Sequence, residues 1–109
     1  MTNYKFNFVD EAKKEYEAAA RYYLDNGGID VAERFVLKVD TVIEMLEMWP
    51  NAGRNLDEIS GIKCSVIPKY PYQLYYRLND DGLEVIGLSV YHTRRDLDKL
   101  LPELKKRIK

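Results

Sequence analysis

The chain has 109 residues, 46% of them hydrophobic, and its 17 basic and 18 acidic side chains leave a formal net charge of −1. This length suits one domain with a modest hydrophobic core, so we expect residues 1–109 to form a single domain. One cysteine and one histidine exclude a disulfide framework and a Cys/His zinc cluster, and we expect neither a metal nor an organic cofactor. No apolar run approaches the roughly 20 residues of a membrane span, and no basic segment followed by an apolar one opens the chain. We therefore expect a cytoplasmic protein without a membrane partner.

The first half of the chain predicts a short strand followed by two helices. Residues 4–9 alternate aromatic and polar side chains, which favours a strand that joins a later sheet. Residues 11–25 carry apolar side chains at helical spacing, and Asp10 is the predicted cap. A second helix is predicted over residues 30–48, capped by Asp30 and ended by Pro50, which disfavours helical backbone at the residue before it. The short connection between the helices predicts an α-hairpin.

The second half predicts three consecutive strands and a terminal helix. The strands are predicted at residues 62–67, 72–78 and 83–91, after a loop at 51–60. The Asn-Asp-Asp-Gly run at residues 79–82 is typical of a hairpin turn, and such short connections make consecutive strands antiparallel. Apolar residues at helical spacing over 97–108 predict the last helix, which Pro102 either kinks or restarts. The fold class is therefore α+β, an antiparallel sheet with an N-terminal α-hairpin packed on one face and a short C-terminal helix.

The central hairpin is predicted to present one apolar face and one open, polar and aromatic face. Alternation places Gln73, Tyr75 and Arg77 on the open side of the first strand and Tyr91 on the open side of the second. The face covered by helices is predicted to take Tyr72, Leu74, Tyr76 and Leu78 from one strand and Ile86, Leu88, Val90 and His92 from the other. Exposed aromatic rings on a sheet receive apolar residues of a partner or stack on bases. Gln73, Tyr75 and Tyr91 are therefore the candidate partner-binding residues.

Basic residues are concentrated at the end of the chain. Residues 94–109 contain seven Lys or Arg and three Asp or Glu, whereas residues 10–48 contain ten acids and five bases. Proteins that bind nucleic acid through its phosphates usually carry a large excess of positive charge. The charge distribution of this chain therefore argues against nucleic-acid binding. Cys64 lies in phase with two apolar neighbours, which predicts a buried structural thiol.

Four side chains near the end of the sheet are the candidate functional residues: Arg77, His92, Arg94 and Arg95. In a nuclease, His92 would act as general base and the arginines would hold the phosphate; otherwise all four would contact a target. Structural roles remain open for the same residues. His92 can form a hydrogen bond to a backbone group at the edge of the sheet. The two consecutive arginines can form surface ion pairs with nearby aspartates.

A series of short motifs follows a fixed order along the chain. They are Tyr22-Tyr23, Ala32 to Phe35, Leu46 with Trp49-Pro50, Gly53-Arg54, Gly61, Tyr70-Pro71-Tyr72, Tyr76-Arg77 and His92-x-Arg94-Arg95-Asp96. No single motif is specific, but their order and spacing resemble the ParE/RelE superfamily of type II toxin–antitoxin modules. The resemblance covers nearly the whole chain. It implies a bacterial or archaeal toxin that arrests growth and is neutralised by a cognate antitoxin encoded beside it.

The resemblance implies one of two targets. RelE-like members cut messenger RNA in the ribosomal A site, whereas ParE-like members poison DNA gyrase and are not enzymes. The positions where RelE-like nucleases have two arginines and a tyrosine fall here at Gln73, Thr93 and near Lys99. This mismatch favours a ParE-like gyrase inhibitor. The alternatives are a ribosome-dependent endoribonuclease and a degenerate family member that only binds its partner.

Overall fold

The computed structural model describes residues 3–108 as one sheet with helices on both faces. The elements are β1 (Lys5–Phe8), α1 (Asp10–Gly27), α2 (Ile29–Met48), β2 (Arg54–Asn55), β3 (Ile62–Val66), β4 (Tyr72–Asn79), β5 (Glu84–His92) and α3 (Leu97–Arg107). The strand order is β1-β5-β4-β3-β2. Neighbouring strands are antiparallel except β1 and β5, which run parallel. The predicted α+β class is confirmed, with one parallel pair that the sequence analysis did not foresee.

The α-hairpin turns at a single glycine. Gly28 has φ 85°, a left-handed value that favours glycine, and its N–H donates to the carbonyl of Leu24 at 3.0 Å. The same residue precedes α2, so α2 starts without a side-chain cap and Asp30 lies inside it. Asp10 likewise lies in the first turn of α1, where Val9 takes the N-cap position. Both predicted aspartate caps are therefore wrong. A negative charge in the first turn of a helix nevertheless interacts favourably with the helix dipole.

The α-hairpin packs on one face of the sheet. Phe35, Val39 and Leu46 of α2 share an apolar cluster with Leu74 and Tyr76 of β4, and all five side chains are fully buried. This is the face on which alternation placed the apolar residues of β4, so that part of the prediction is confirmed.

The opposite face of the sheet is covered by α3 and is not open. Leu100 and Leu104 are buried in one cluster with Tyr75 and Leu88. Tyr75 is only 6% exposed, so the expectation of an exposed ring at this position is wrong. The reason is that α3 also carries an apolar stripe, and the second face of the sheet is where that stripe is buried. The helix runs continuously through Pro102.

A β-bulge in β5 changes the face to which its residues belong. Tyr75 pairs with Ser89 and Tyr76 with Gly87, which leaves Leu88 without a partner on β4. Ile86 and Leu88 consequently pack on the α3 side, whereas Val90 packs on the α-hairpin side. The prediction that these three side chains share a face is wrong, because one inserted residue interrupts the alternation along β5.

A charged pair closes the outer edge of β5. The last residue of β1 pairs with Gly87, and beyond that point no strand among residues 3–108 lies next to β5 on this edge. Glu15 Oε1 accepts hydrogen bonds from Ser89 Oγ at 2.8 Å, from the Val90 N–H at 3.2 Å and from the Arg107 guanidinium at 3.0 Å. Arg107 also donates to the carbonyl of Leu88 at 2.9 Å. Side chains from α1 and α3 thus replace the missing strand.

Candidate functional site

The chain leaves β5 at His92 in a fixed geometry. The N–H of Thr93 donates to the carbonyl of Pro71 at 2.9 Å, which ties the strand exit to the turn before β4. The N–H of Arg94 donates to Nδ1 of His92 at 3.0 Å. The imidazole also packs edge-on against the ring of Tyr72, with 5.1 Å between ring centroids. The imidazole is therefore held by the backbone on one side and by an aromatic ring on another.

This hydrogen bond decides what the imidazole can do. Because Nδ1 of His92 accepts the N–H of Arg94, the neutral ring carries its proton on Nε2. An Nε2–H group donates a hydrogen bond to an anion, but it does not accept a proton. The geometry fits a hydrogen-bond donor better than the general base of a nuclease. The hydrogen bond between His92 and the backbone, which was expected if His92 has a structural role, is present.

Arg94 and Arg95 lie on the surface where the chain turns towards α3. Both residues are exposed, and none of the ion pairs formed among residues 3–108 includes either of them. Asp96 is instead the N-cap of α3, where its carboxylate accepts the N–H of Asp98 at 3.0 Å. The Arg95 guanidinium lies 5.9 Å from the ring centroid of Tyr91. Within the described part of the chain, the two arginines therefore present positive charge without a carboxylate partner.

A groove of about 290 Å³ lies beside His92, between β5 and α1. Its walls include Tyr22, Tyr72 and Arg95, and the small side chains of Ala18 and Ala19 leave the space open. An imidazole, a guanidinium and phenol rings together suit a planar or anionic group of a partner. We call this groove, with Arg94, the β5-exit site.

Sequence reasoning missed the contribution of Tyr22 to the β5-exit site. Its neighbour Tyr23 packs in the core against Phe35, with 4.9 Å between ring centroids, whereas Tyr22 is 57% exposed. The available signal was its position, because Tyr22 lies off the apolar stripe of α1. An exposed aromatic residue outside the stripe has no packing role to explain it.

Arg77 does not belong to this site. It pairs with Ile86 across the β4–β5 ladder, whereas Tyr72, five residues earlier in β4, pairs with His92. At about 3.3 Å per residue, the backbone of Arg77 lies roughly 16 Å from the end of β5. Its Nε is buried without a hydrogen-bond partner. The structure thus brings together three of the four candidate functional residues.

The three candidate partner-binding residues make internal contacts on the α3 side. Gln73 Oε1 accepts from the Tyr75 hydroxyl at 3.1 Å and from Cys64 Sγ at 3.5 Å. The Tyr91 hydroxyl donates to the carbonyl of Asp96 at 3.2 Å. Burial raises the pKa of the Tyr75 hydroxyl and the pKa of the Cys64 thiol. The predicted burial of Cys64 is confirmed, since the residue is 1% exposed.

Within residues 3–108, no three His, Cys, Asp or Glu side chains are grouped so that they could hold a metal ion. No helix in that part of the chain combines the length and the apolar character needed to cross a membrane.

Among the comparisons with known proteins, a family model identifies the family and solved structures show the same fold. The family model for the ParE toxin of the type II toxin–antitoxin system parDE matches residues 6–97. A chain of the chromosomal ParDE system from P. aeruginosa has a TM-score of 0.71 at 17% identity, covering 84% of this chain and 97% of that one. A double arginine-to-alanine mutant of the E. coli toxin RelE in the free state has a TM-score of 0.68 at 20% identity, covering 99% and 100%. A chain of the RelBE2 toxin–antitoxin complex from Mycobacterium tuberculosis has a TM-score of 0.62 at 21% identity, covering 84% and 99%. No curated protein sequence matches the chain.

Proposed function

Because the chain belongs to the ParE toxin family of type II toxin–antitoxin systems, we propose that it arrests growth by binding DNA gyrase without catalysing a reaction. The family resemblance expected from the motifs is confirmed. We also propose that a cognate antitoxin neutralises the protein, since similar folds occur in a ParDE system and in a RelBE complex. The similar fold of RelE makes a ribosome-dependent endoribonuclease the alternative.

The arrangement of the β5-exit site supports action by contact. Cleavage of RNA needs a base, an acid and cations within hydrogen-bond reach of one phosphate. Here Nδ1 of His92 is occupied by the N–H of Arg94, and Arg77 lies roughly 16 Å along the sheet. What remains is an Nε2–H donor beside two exposed guanidinium groups. This set binds acidic groups of a target and lacks a base.

The distribution of charge supports the same proposal. The net charge is −1, and residues 10–48 carry twice as many acids as bases. Binding to ribosomal RNA would have to rely on the basic residues after β5. A protein target needs only a local cationic contact, which Arg94 and Arg95 supply.

The proposal is tested with the double variant Arg94→Ala/Arg95→Ala. We expect the purified wild-type protein to inhibit DNA supercoiling by gyrase, and its induction to trigger a DNA-damage response without new messenger RNA ends. The double variant should lose both effects while its thermal unfolding stays unchanged. The matched control is Lys105→Ala/Lys106→Ala, which removes two exposed positive charges from α3.

Two results would contradict this proposal in different ways. New RNA 5′ ends phased to codons in translated messages would identify the protein as a ribosome-dependent nuclease. A double variant that remains as toxic as wild type would remove Arg94 and Arg95 from the functional site while leaving the gyrase target in place.

The antitoxin contact predicted for Gln73, Tyr75 and Tyr91 stays a prediction. Tyr75 is buried under α3, so serine at this position would also lower stability. Tyr91 is half-buried and lines the groove beside His92, which makes Tyr91→Ser the more informative variant. We expect this substitution to weaken antitoxin binding, and an unchanged dissociation constant would exclude Tyr91 from the interface.

A further inference from the structure

Three basic side chains converge on a groove beside α2, away from the β5-exit site. Arg34 and Lys38 lie one helical turn apart on α2, and Lys69 comes from the turn before β4. The groove measures about 300 Å³. Within the described residues 3–108, no ion pair includes any of these three side chains. Like charges one turn apart destabilise a helix, and no ion pair among these residues offsets that repulsion.

The turn that carries Lys69 is held in a strained conformation. Lys69 has φ 73°, a left-handed value that is uncommon for a residue with a side chain. The N–H of Tyr70 donates to the carbonyl of Ile67 at 3.1 Å, and the Tyr70 ring packs against Phe35 with 5.1 Å between centroids. The core thus fixes the backbone of Lys69 beside α2, and strain of this kind is often found where a position serves binding.

An apolar groove adjoins the basic one. It measures about 370 Å³ and is lined mainly by aliphatic side chains: Leu24, Ile29, Ala32, Val36 and Leu37, with Glu33 as the single acid. Leu37 lines both grooves, so the two form one continuous surface. Ile29 is 65% exposed and Leu37 is 63% exposed. Adjacent exposed aliphatic side chains mark a protein-binding surface more often than a solvated one.

The basic groove and the apolar groove together indicate which kind of partner fits this surface. A nucleic acid binds mainly through its phosphates and would leave the aliphatic groove unfilled. An amphipathic polypeptide places apolar side chains in one groove and carboxylates against the cations of the other. We propose that the outer surface of α2 docks an acidic, amphipathic segment of a protein partner. Resting on the proposed function, we assign that segment to the cognate antitoxin.

The test compares two charge reversals of equal size in the full-length toxin. Arg34→Glu/Lys38→Glu changes the proposed surface, and Lys13→Glu/Lys14→Glu makes the same change on exposed residues of α1. The probe is the purified cognate antitoxin, titrated calorimetrically at low and high salt. We expect the α2 reversal to weaken binding at least about tenfold at low salt and to reduce the salt dependence, because complementary charges then become repulsive. The α1 reversal should leave the dissociation constant within about twofold.

A third variant separates the apolar contact from the charges. Leu37→Ser removes an exposed side chain, so folding should be unaffected, while binding should weaken without a change in salt dependence. Growth arrest by all three variants in the absence of antitoxin reports whether the fold is intact.

Each result decides between the proposals. If wild type binds the antitoxin and both α2 variants bind equally well, the inference fails while the proposed function stands. If wild type forms no complex with the antitoxin, the assignment of the occupant fails together with the proposed neutralisation. If wild type binds a short RNA or DNA oligonucleotide and the α2 reversal abolishes that binding, the surface serves nucleic acid and the inference is overturned.

Discussion

The Arg107→Ala variant tests whether the charged pair at the edge of β5 fastens α3 to the rest of the fold. The Arg107 side chain is 8% exposed, and that of Glu15 is 27% exposed. Truncation leaves the Leu88 carbonyl without its donor, while Glu15 keeps the hydrogen bonds from Ser89 and Val90.

The typical cost of such losses sets the expected magnitude. Breaking a buried ion pair costs about 3–5 kcal/mol, and losing a hydrogen bond to a charged group costs about 1.5–3 kcal/mol. Because Glu15 is partly exposed and keeps two donors, we expect a loss of about 2–3 kcal/mol in the free energy of unfolding. For a domain of this size, that loss lowers Tm by roughly 10–20 °C.

Urea unfolding followed by circular dichroism measures this loss, and the neighbouring residue provides the control. Lys106 pairs with Glu103 at 3.3 Å, but both side chains are exposed, at 76% and 47%. Lys106→Ala should therefore cost no more than about 0.5 kcal/mol. A double-mutant cycle with Glu15→Gln then isolates the coupling between the two charges. If Arg107→Ala proves no more costly than Lys106→Ala, the pair does not hold α3 and the reasoning is refuted.

Three further predictions concern packing and burial. Gly87→Ala should lower stability by about 1–3 kcal/mol, because an added Cβ would lie 2.7 Å from a ring carbon of Phe8; an unchanged urea midpoint would contradict this. Tyr76→Phe should cost about 1–3 kcal/mol, since the hydroxyl donates to the Pro50 carbonyl at 2.9 Å. If hydrogen exchange of the loop around Pro50 is not accelerated in this variant, that hydrogen bond is unimportant. Burial raises the pKa of the Cys64 thiol and that of the Tyr76 hydroxyl above their ordinary values, so the unfolded chain loses these protons at lower pH than the folded chain does. Stability should therefore be fully present below about pH 8 and fall as the pH rises through these pKa values; equal urea midpoints at about pH 8 and about pH 10.5 would disprove this.

Local patterns predicted most of the fold. The spacing of Phe35, Val39 and Leu46 predicted the buried stripe of α2, and the Trp49-Pro50 pair predicted its end at Met48. The bulge at Leu88 was missed, although Gly87 directly before it is a signal, because an isolated glycine within a strand often marks a bulge. The covering of the second face by α3 depends on long-range packing, which periodicity alone does not reveal.

The candidate site was predicted only where its residues are neighbours in sequence. His92, Arg94 and Arg95 were found because the end of the last strand places them together. Arg77 was grouped with them by residue type, but the strand separates it from them in space. Tyr22 was missed because its contribution depends on how α1 lies across the end of β5.

The inserted residue in β5 has a consequence for variation in chain length. Residues that pair across an antiparallel ladder lie on the same face of the sheet, and His92 pairs with Tyr72. Deleting Leu88 would remove the extra residue and leave the pairs Tyr76–Gly87 and Tyr72–His92 in place. The imidazole would therefore stay beside Tyr72, whereas the layer under α3 would lose the buried Leu88 side chain. The bulge thus lets β5 lose one residue without reversing the side on which His92 lies.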